Sequence, residues 1–529
     1  MKRSQKNISV ILASFVLLGL GSCNDSGISS PLSTNGSSDY SSSLDSSSSI
    51  SSSVDTNKGY SKKDIDFGAS DLNPSYPAST GFQLALVVLI SFPDGAYAFG
   101  DEIVSNLNNT YFGNRLDTAY HWNSLSSYYN TASLGKLNMS GIITSVYSTE
   151  VTSASIKEKE KSDSLKAIGD LYGVYDDAIS AIKNKTLHSM SGNEIDLQYF
   201  DSNKDGMIDS PTFITNVEDE EKWGGAFWPQ MGFASDNSDK DLNFNVYSSS
   251  NLHHFDFNSY QGGARTAIHE QGHVFGLDDY YDYSSPSYPN KALDLVGSYD
   301  MQDDNTYDWN SYSKMLTKWV SPYVVDGTKE KTTIEIGDAA STGDCILIPA
   351  DYSTWNGTPY DEYLLLELFS PFGNNKIDWD INLQSTPNLG SGGIRMYHVD
   401  SRLYGYDSKG GEWVEDPKNT AYTKFDHPCN STDASDYGFK KLPSEAKGCH
   451  QLQVIQAGKE NTFGSSVYTA RHRLNYSDLF KTGDEFTFSD YSPFFPKETT
   501  MNNGEKFNYT IDFESVSPSD AKITITKTK

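Results

Sequence analysis

Three residues within "TAIHEQGHVFGLDDYYDYSS" have the types and spacing for hydrolysis at a metal. His269 and His273 stand four apart, so a helix places both imidazoles on one face, where they can share an ion. Glu270 follows the first histidine but is rotated around the helix, beside the ion rather than on it. There it can take a proton from activated water. Two ligands and a base of this kind define the H-E-x-x-H centre. A purely structural metal site has no use for the base and closes its fourth position with protein.

The third ligand must follow a turn. Gly276 permits the left-handed conformation that ends the helix and sends the chain back toward the ion. Asp279 then falls at the last position of H-E-x-x-H-x-x-G-x-x-[H/D], and a carboxylate is an acceptable zinc ligand. Asp278 and Asp282 are neighbouring competitors that fit the spacing less well. A glutamate from a later helix is the other known solution, but no glutamate lies between Glu270 and Glu330. Met301, in "VGSYDMQDDN", suits the methionine-containing turn that underlies the metal in metzincins.

A second cation is expected at "DSNKDGMID". Asp201, Asn203, Asp205, the Met207 carbonyl and Asp209 alternate as oxygen ligands around a sharp turn at Gly206, as in a calcium loop. Thr212 stands where an EF-hand has its closing glutamate, so the segment is expected to lead into the strand "TFITN". His398 is expected to be structural, and His253 and His254 lack partners at ligand spacing.

The elements that must carry these residues are readable in outline. "LALVVLISF" is a buried strand by its length and branched residues, stopped by Pro93. "HWNSLSSYYNTASLGKLNMSGII" reads as a helix ending near Gly135 and then a strand. "EKSDSLKAIGDLYGVYDDAISAIKN" has helical apolar spacing. Beyond Ser321 short strands such as "TTIEIG", "CILIPA", "EYLLLELF", "GIRMYHVD", "LQVIQA" and "AKITITK" alternate with turns, the texture of a β-sandwich.

At the amino terminus, Lys2, Arg3 and Lys6 precede a short apolar run ending in "LGSC". This is an export signal whose Cys23 resembles the lipobox cysteine of bacterial lipoproteins. Serine dominates from Asn24 to about Asn57, which cannot bury a core and reads as a tether. The balance of 41 Lys+Arg against 70 Asp+Glu, a net charge of −29, disfavours nucleic acid as a partner. Cys345, Cys429 and Cys449 allow at most one bridge, for which Cys429 and Cys449 are the expected pair.

"HEQGHVFGLDDYYD" followed by "GSYDMQDDNTYDWNSYSKMLTKW" resembles the peptidase domain of the immune inhibitor A family of secreted bacterial metallopeptidases. "ALVVLISFPD", "LSSYYNTASLGKLNMSG", "FDSNKDGMID" and "AFWPQM" are similar to its upstream segments. "YLLLELF", "GGIRMYHVD" and "NYSDLFKTGDEF" resemble its downstream β region. The resemblance implies His269, His273 and Asp279 as zinc ligands, Glu270 as base and Met301 as the turn methionine. Asp278 replaces a usual proline, and Gln302 replaces a usual hydrophobic residue. Asp303 replaces the tyrosine that some metzincins use to assist the oxyanion, leaving Tyr280 and Tyr281 as candidates.

The expectation is therefore an α+β protein, a metzincin-like zinc peptidase domain followed by an all-β, sandwich-like domain. Its parts would be a signal peptide (1–23), a Ser-rich tether (24–75), the peptidase (76–325) and the β-rich region (326–529). It would be a zinc endopeptidase, with calcium as a second ion, acting on proteins or peptides outside the cell from a lipid anchor. The rivals are a surface-binding lipoprotein with a structural or silent metal site, and hydrolysis of a non-peptide amide of the cell envelope.

Overall fold

A computed structural model describes residues 58–73, 75–113, 123–218, 225–234, 241–255, 263–282, 293–381, 389–410, 412–415, 425–430, 449–464 and 473–528. The expected signal peptide, Cys23 and most of the tether lie outside them.

The strand Gly81–Ser91 is the spine of a mainly parallel sheet. Its neighbours run in the order Leu137–Ile143, Gly81–Ser91, Thr212–Thr215, Val246–Asn251 and Gln230–Phe233. Only the last, at the edge, is antiparallel to its neighbour. The continuous apolar run of the spine follows from burial on both faces. Leu86, Val88 and Ile90 meet Leu171, Tyr175 and Ile179 of the helix Ser164–Lys183. Ala85, Val87 and Leu89 face the opposite way, toward Tyr128, Tyr129 and Ile268. The helices Leu125–Ala132 and Arg265–Val274 lie on that second side.

The C-terminal half holds a pair of packed sheets, a small three-stranded sheet of Glu412–Glu415, Tyr404–Asp407 and Phe425–Asp426, and short helices such as Asn375–Ile381. The smaller sheet has the order Lys331–Gly337, Asp520–Lys527, Tyr509–Val516 and Glu485–Thr487. The larger has Tyr60–Lys62, Tyr323–Val325, Cys345–Pro349, Glu362–Phe369, Gly393–Asp400 and Leu452–Ile455. Between them Ile334, Ile336, Ile523 and Ile525 interleave with Ile348, Leu364, Leu366 and Met396. The described residues thus mix helices with several sheets, compatible with the α+β class, and the expected C-terminal strands all form.

Two expectations are corrected. The tether does not extend to residue 75, because Tyr60–Lys62 forms the edge of the larger sheet against Tyr323–Val325. The same segment then buries Ile65 and Ala69, and Trp319 Nε1 donates to the Ser79 carbonyl at 2.6 Å. Nor does the core divide at residue 325. The far face of the larger sheet, with Leu347, Tyr363, Leu365, Tyr397 and Val399, joins Trp309, Tyr312 and Ile268 in one cluster. That sheet is thus a middle layer, covered on both sides. Cys345, Cys429 and Cys449 are thiols in the structure, so the more plausible pair for a bridge, Cys429 and Cys449, is not joined.

Candidate metal centre

The helix Arg265–Val274 carries the two histidines, and its end is built to turn. Gly276 has φ +83°, and the Leu277 amide reaches back to the Gly272 carbonyl at 3.1 Å. A Cβ at Gly276 would lie 2.8 Å from both the Ala69 Cβ and the Tyr76 Cε2. Glycine is needed there for backbone and space alike.

The turn delivers Asp279 onto the histidines. Its Oδ1 lies 2.9 Å from His269 Nε2 and 3.3 Å from His273 Nε2. The two Nε2 atoms are 3.0 Å apart. Each ring's other nitrogen is already engaged. His269 Nδ1 lies 2.8 Å from the Met301 carbonyl, and His273 Nδ1 lies 2.7 Å from that of Leu277. A carbonyl can only accept, so both Nδ1 atoms carry the hydrogen, and each ring in its neutral form turns the Nε2 lone pair inward. Asp279 Oδ1, for all its proximity, makes no hydrogen bond of acceptable geometry and is an orphaned buried acceptor.

Three electron-pair donors thus converge with only a proton or a cation able to reconcile them. A tetrahedral ion with ligands at about 2.0–2.1 Å separates its ligand atoms by about 3.3 Å, close to the spacing here. Among the described residues these three are the one His/Cys/Asp/Glu set whose ligand atoms all lie within 4.8 Å of one another.

The electrostatics follow. Burial would lower the His273 pKa, but the Asp279 carboxylate outweighs it and pushes the imidazole up to about 10. Burial would raise Asp279, but His273 and His269 hold it well below the usual carboxylate range. Glu270 is buried, which raises its pKa against the opposing pull of both histidines.

Several residues of the site were not evident from the motif. Gln302 packs on Gly272, where a Cβ would lie 2.3 Å from its Oε1. That oxygen accepts from Trp309 Nε1 at 3.1 Å, and the amide nitrogen lies 3.3 Å from His273 Nδ1. His254, on the short 3-10 helix Leu252–His254, lies near enough to favour the charged form of Glu270. No spacing signal marks it, because the strand Val246–Asn251 brings it there. Of the two candidate tyrosines, Tyr280 is buried with its hydroxyl 2.7 Å from Ser313 Oγ. Tyr281 hydrogen-bonds Asp279, and burial with the Asp279 and Glu270 charges pushes its phenol well above the ordinary value.

The Asp201–Asp209 segment leads through Met207–Ile208 into the strand Thr212–Thr215. Its carboxylates turn onto their own loop: Asp201 accepts from the amides of Asp205 and Gly206, and Asp209 from Ser202. Asp201, Asp205 and Asp209 do not converge as the zinc candidates do. His398 is structural, buried with Nε2 2.8 Å from Glu362 Oε1. Asp278 faces Gln451 and His427 rather than the histidines.

Compared with known proteins, the chain matches no protein-family model and no curated protein.

Proposed function

We propose that the protein is a metzincin-type zinc endopeptidase, with His269, His273 and Asp279 as ligands and Glu270 as general base. The observation that carries this reading is the convergence of two lone-pair nitrogens and one orphaned carboxylate oxygen, with a buried glutamate next in sequence. Bound there, zinc supplies a Lewis acid that activates water and polarises a carbonyl.

The remaining work belongs to side chains. Glu270 removes the proton of the attacking water and passes it to the departing amine. Its burial raises its proton affinity toward that of a shuttle, while His254 keeps the charged form accessible. The Met301 and Leu277 carbonyls hold the imidazoles in the tautomer that leaves Nε2 free. Tyr281 holds Asp279 through its hydroxyl. The substrates are proteins or peptides, met outside the cell by an enzyme anchored through lipid on Cys23.

The test is Glu270→Gln in the full chain, assayed on an unfolded protein with and without chelator. The variant keeps its metal and loses about 10²–10⁴-fold in turnover. Cleavage at the wild-type rate removes Glu270 from the mechanism. A wild-type protein that binds zinc yet cleaves nothing, chelator or not, points to a structural site.

A further inference from the structure

A buried ion pair of the larger C-terminal sheet holds the segment that carries Met301. Glu367 and Arg395 are directly opposed across the strands Glu362–Phe369 and Gly393–Asp400. Arg395 Nη2 lies 2.6 Å from Glu367 Oε1, with each side chain only 2% exposed. The guanidinium sits 4.1 Å over the Phe369 ring, and its Nε makes a second bond to Glu367 at 2.8 Å.

Both members also hold the chain outside their sheet. Arg395 Nη1 donates to the Tyr299 carbonyl at 2.8 Å. Glu367 Oε2 accepts from the Ser311 amide and hydroxyl at 2.7 and 2.6 Å. Between these anchors Asp300 gathers the segment, accepting from the Gln302 amide and from the Asn310 amide and side chain. Met301 lies inside this clamp, and its carbonyl takes the His269 Nδ1 hydrogen.

Stability alone does not call for such a pair, because buried ion pairs can often be replaced by apolar residues at no loss. Fixing the position of a backbone segment does call for it, since a guanidinium can serve a carboxylate and a carbonyl at once. We propose that Glu367 and Arg395 are positioning residues of the metal centre: they clamp residues 299–311 at both ends and thereby fix the Met301 carbonyl that orients His269. The β-rich half is then part of the metal site. This rests on the ligand assignment proposed above.

The test uses the full chain and cobalt(II) as probe, reading dissociation constant and visible absorption spectrum. Arg395→Lys keeps the charge but cannot reach both acceptors, and Glu367→Gln removes the charge that orients the arginine. Each is expected to weaken cobalt binding about 10–100-fold, as substitutions behind metal ligands do, and to shift the spectrum. Ile523→Ala, in the sandwich layer away from the segment, lowers the melting temperature at least as much while leaving both readings at wild-type values. Wild-type affinity and spectrum in Arg395→Lys and Glu367→Gln overturn the inference, as does an equal loss in Ile523→Ala. If the wild type takes up no cobalt, or His273→Ala binds it as tightly, the ligand assignment itself fails and the clamp with it.

Discussion

His273 shares its site with a carboxylate and another imidazole, and this sets how metal and protons compete. Its pKa of about 10 means that it is protonated in the metal-free fold at neutral pH. An ion must displace that proton, so affinity should rise about tenfold per pH unit up to about pH 10 and level off above it. Zinc titrations in buffers of different ionisation enthalpy should show about one proton released at pH 7–8. Release of none would place the proton elsewhere. The sign for the metal-free protein is the reverse. A raised pKa stabilises the fold fully below the unfolded value of about 6.5, and that contribution is lost as pH rises toward 10. Asp279→Ala should abolish stoichiometric zinc binding. Asp278→Ala, whose carboxylate faces Gln451, should leave it within a few-fold; a full metal complement in Asp279→Ala would move the third ligand elsewhere. The convergence of His269, His273 and Asp279 was legible because it depends on local geometry, four residues along a helix and one turn. The carbonyls of Leu277 and Met301 were not, since a backbone acceptor has no residue type to announce it.

At the scale of elements, the strongest local signals were continuous or periodic: the spine strand, the helix Ser164–Lys183, and the helix stop at Gly276. Gly276→Ala should leave the ligands in place yet cost about 1–3 kcal/mol, from a left-handed backbone and a Cβ pressed on Ala69 and Tyr76. Urea unfolding monitored by tryptophan fluorescence measures it, and an unchanged midpoint would mean the turn relaxes freely. At Asp201–Asp209 the alternating side-chain oxygens cap the amides of a tight turn, a pattern that a calcium loop shares.

For the whole molecule, sheet membership was the illegible part. Strands announce themselves locally, whereas the pairing of Tyr60–Lys62 with Tyr323–Val325 joins segments far apart in the chain. The change of texture near Ser321 suggested a domain border, but the larger sheet lends one face to each side. Calorimetry of a chain beginning at Lys58 should therefore show a single transition, and residues 76–325 alone should not fold cooperatively. Two separable transitions would restore the border. The strand Glu362–Phe369 lies deepest in this arrangement, with sheet neighbours on both edges and apolar layers on both faces. Its amides can exchange with deuterium only when the entire molecule opens. Because Glu367 sits on it, loss of the proposed peptidase activity on heating should coincide with that opening, leaving no window in which an inactive chain still looks folded.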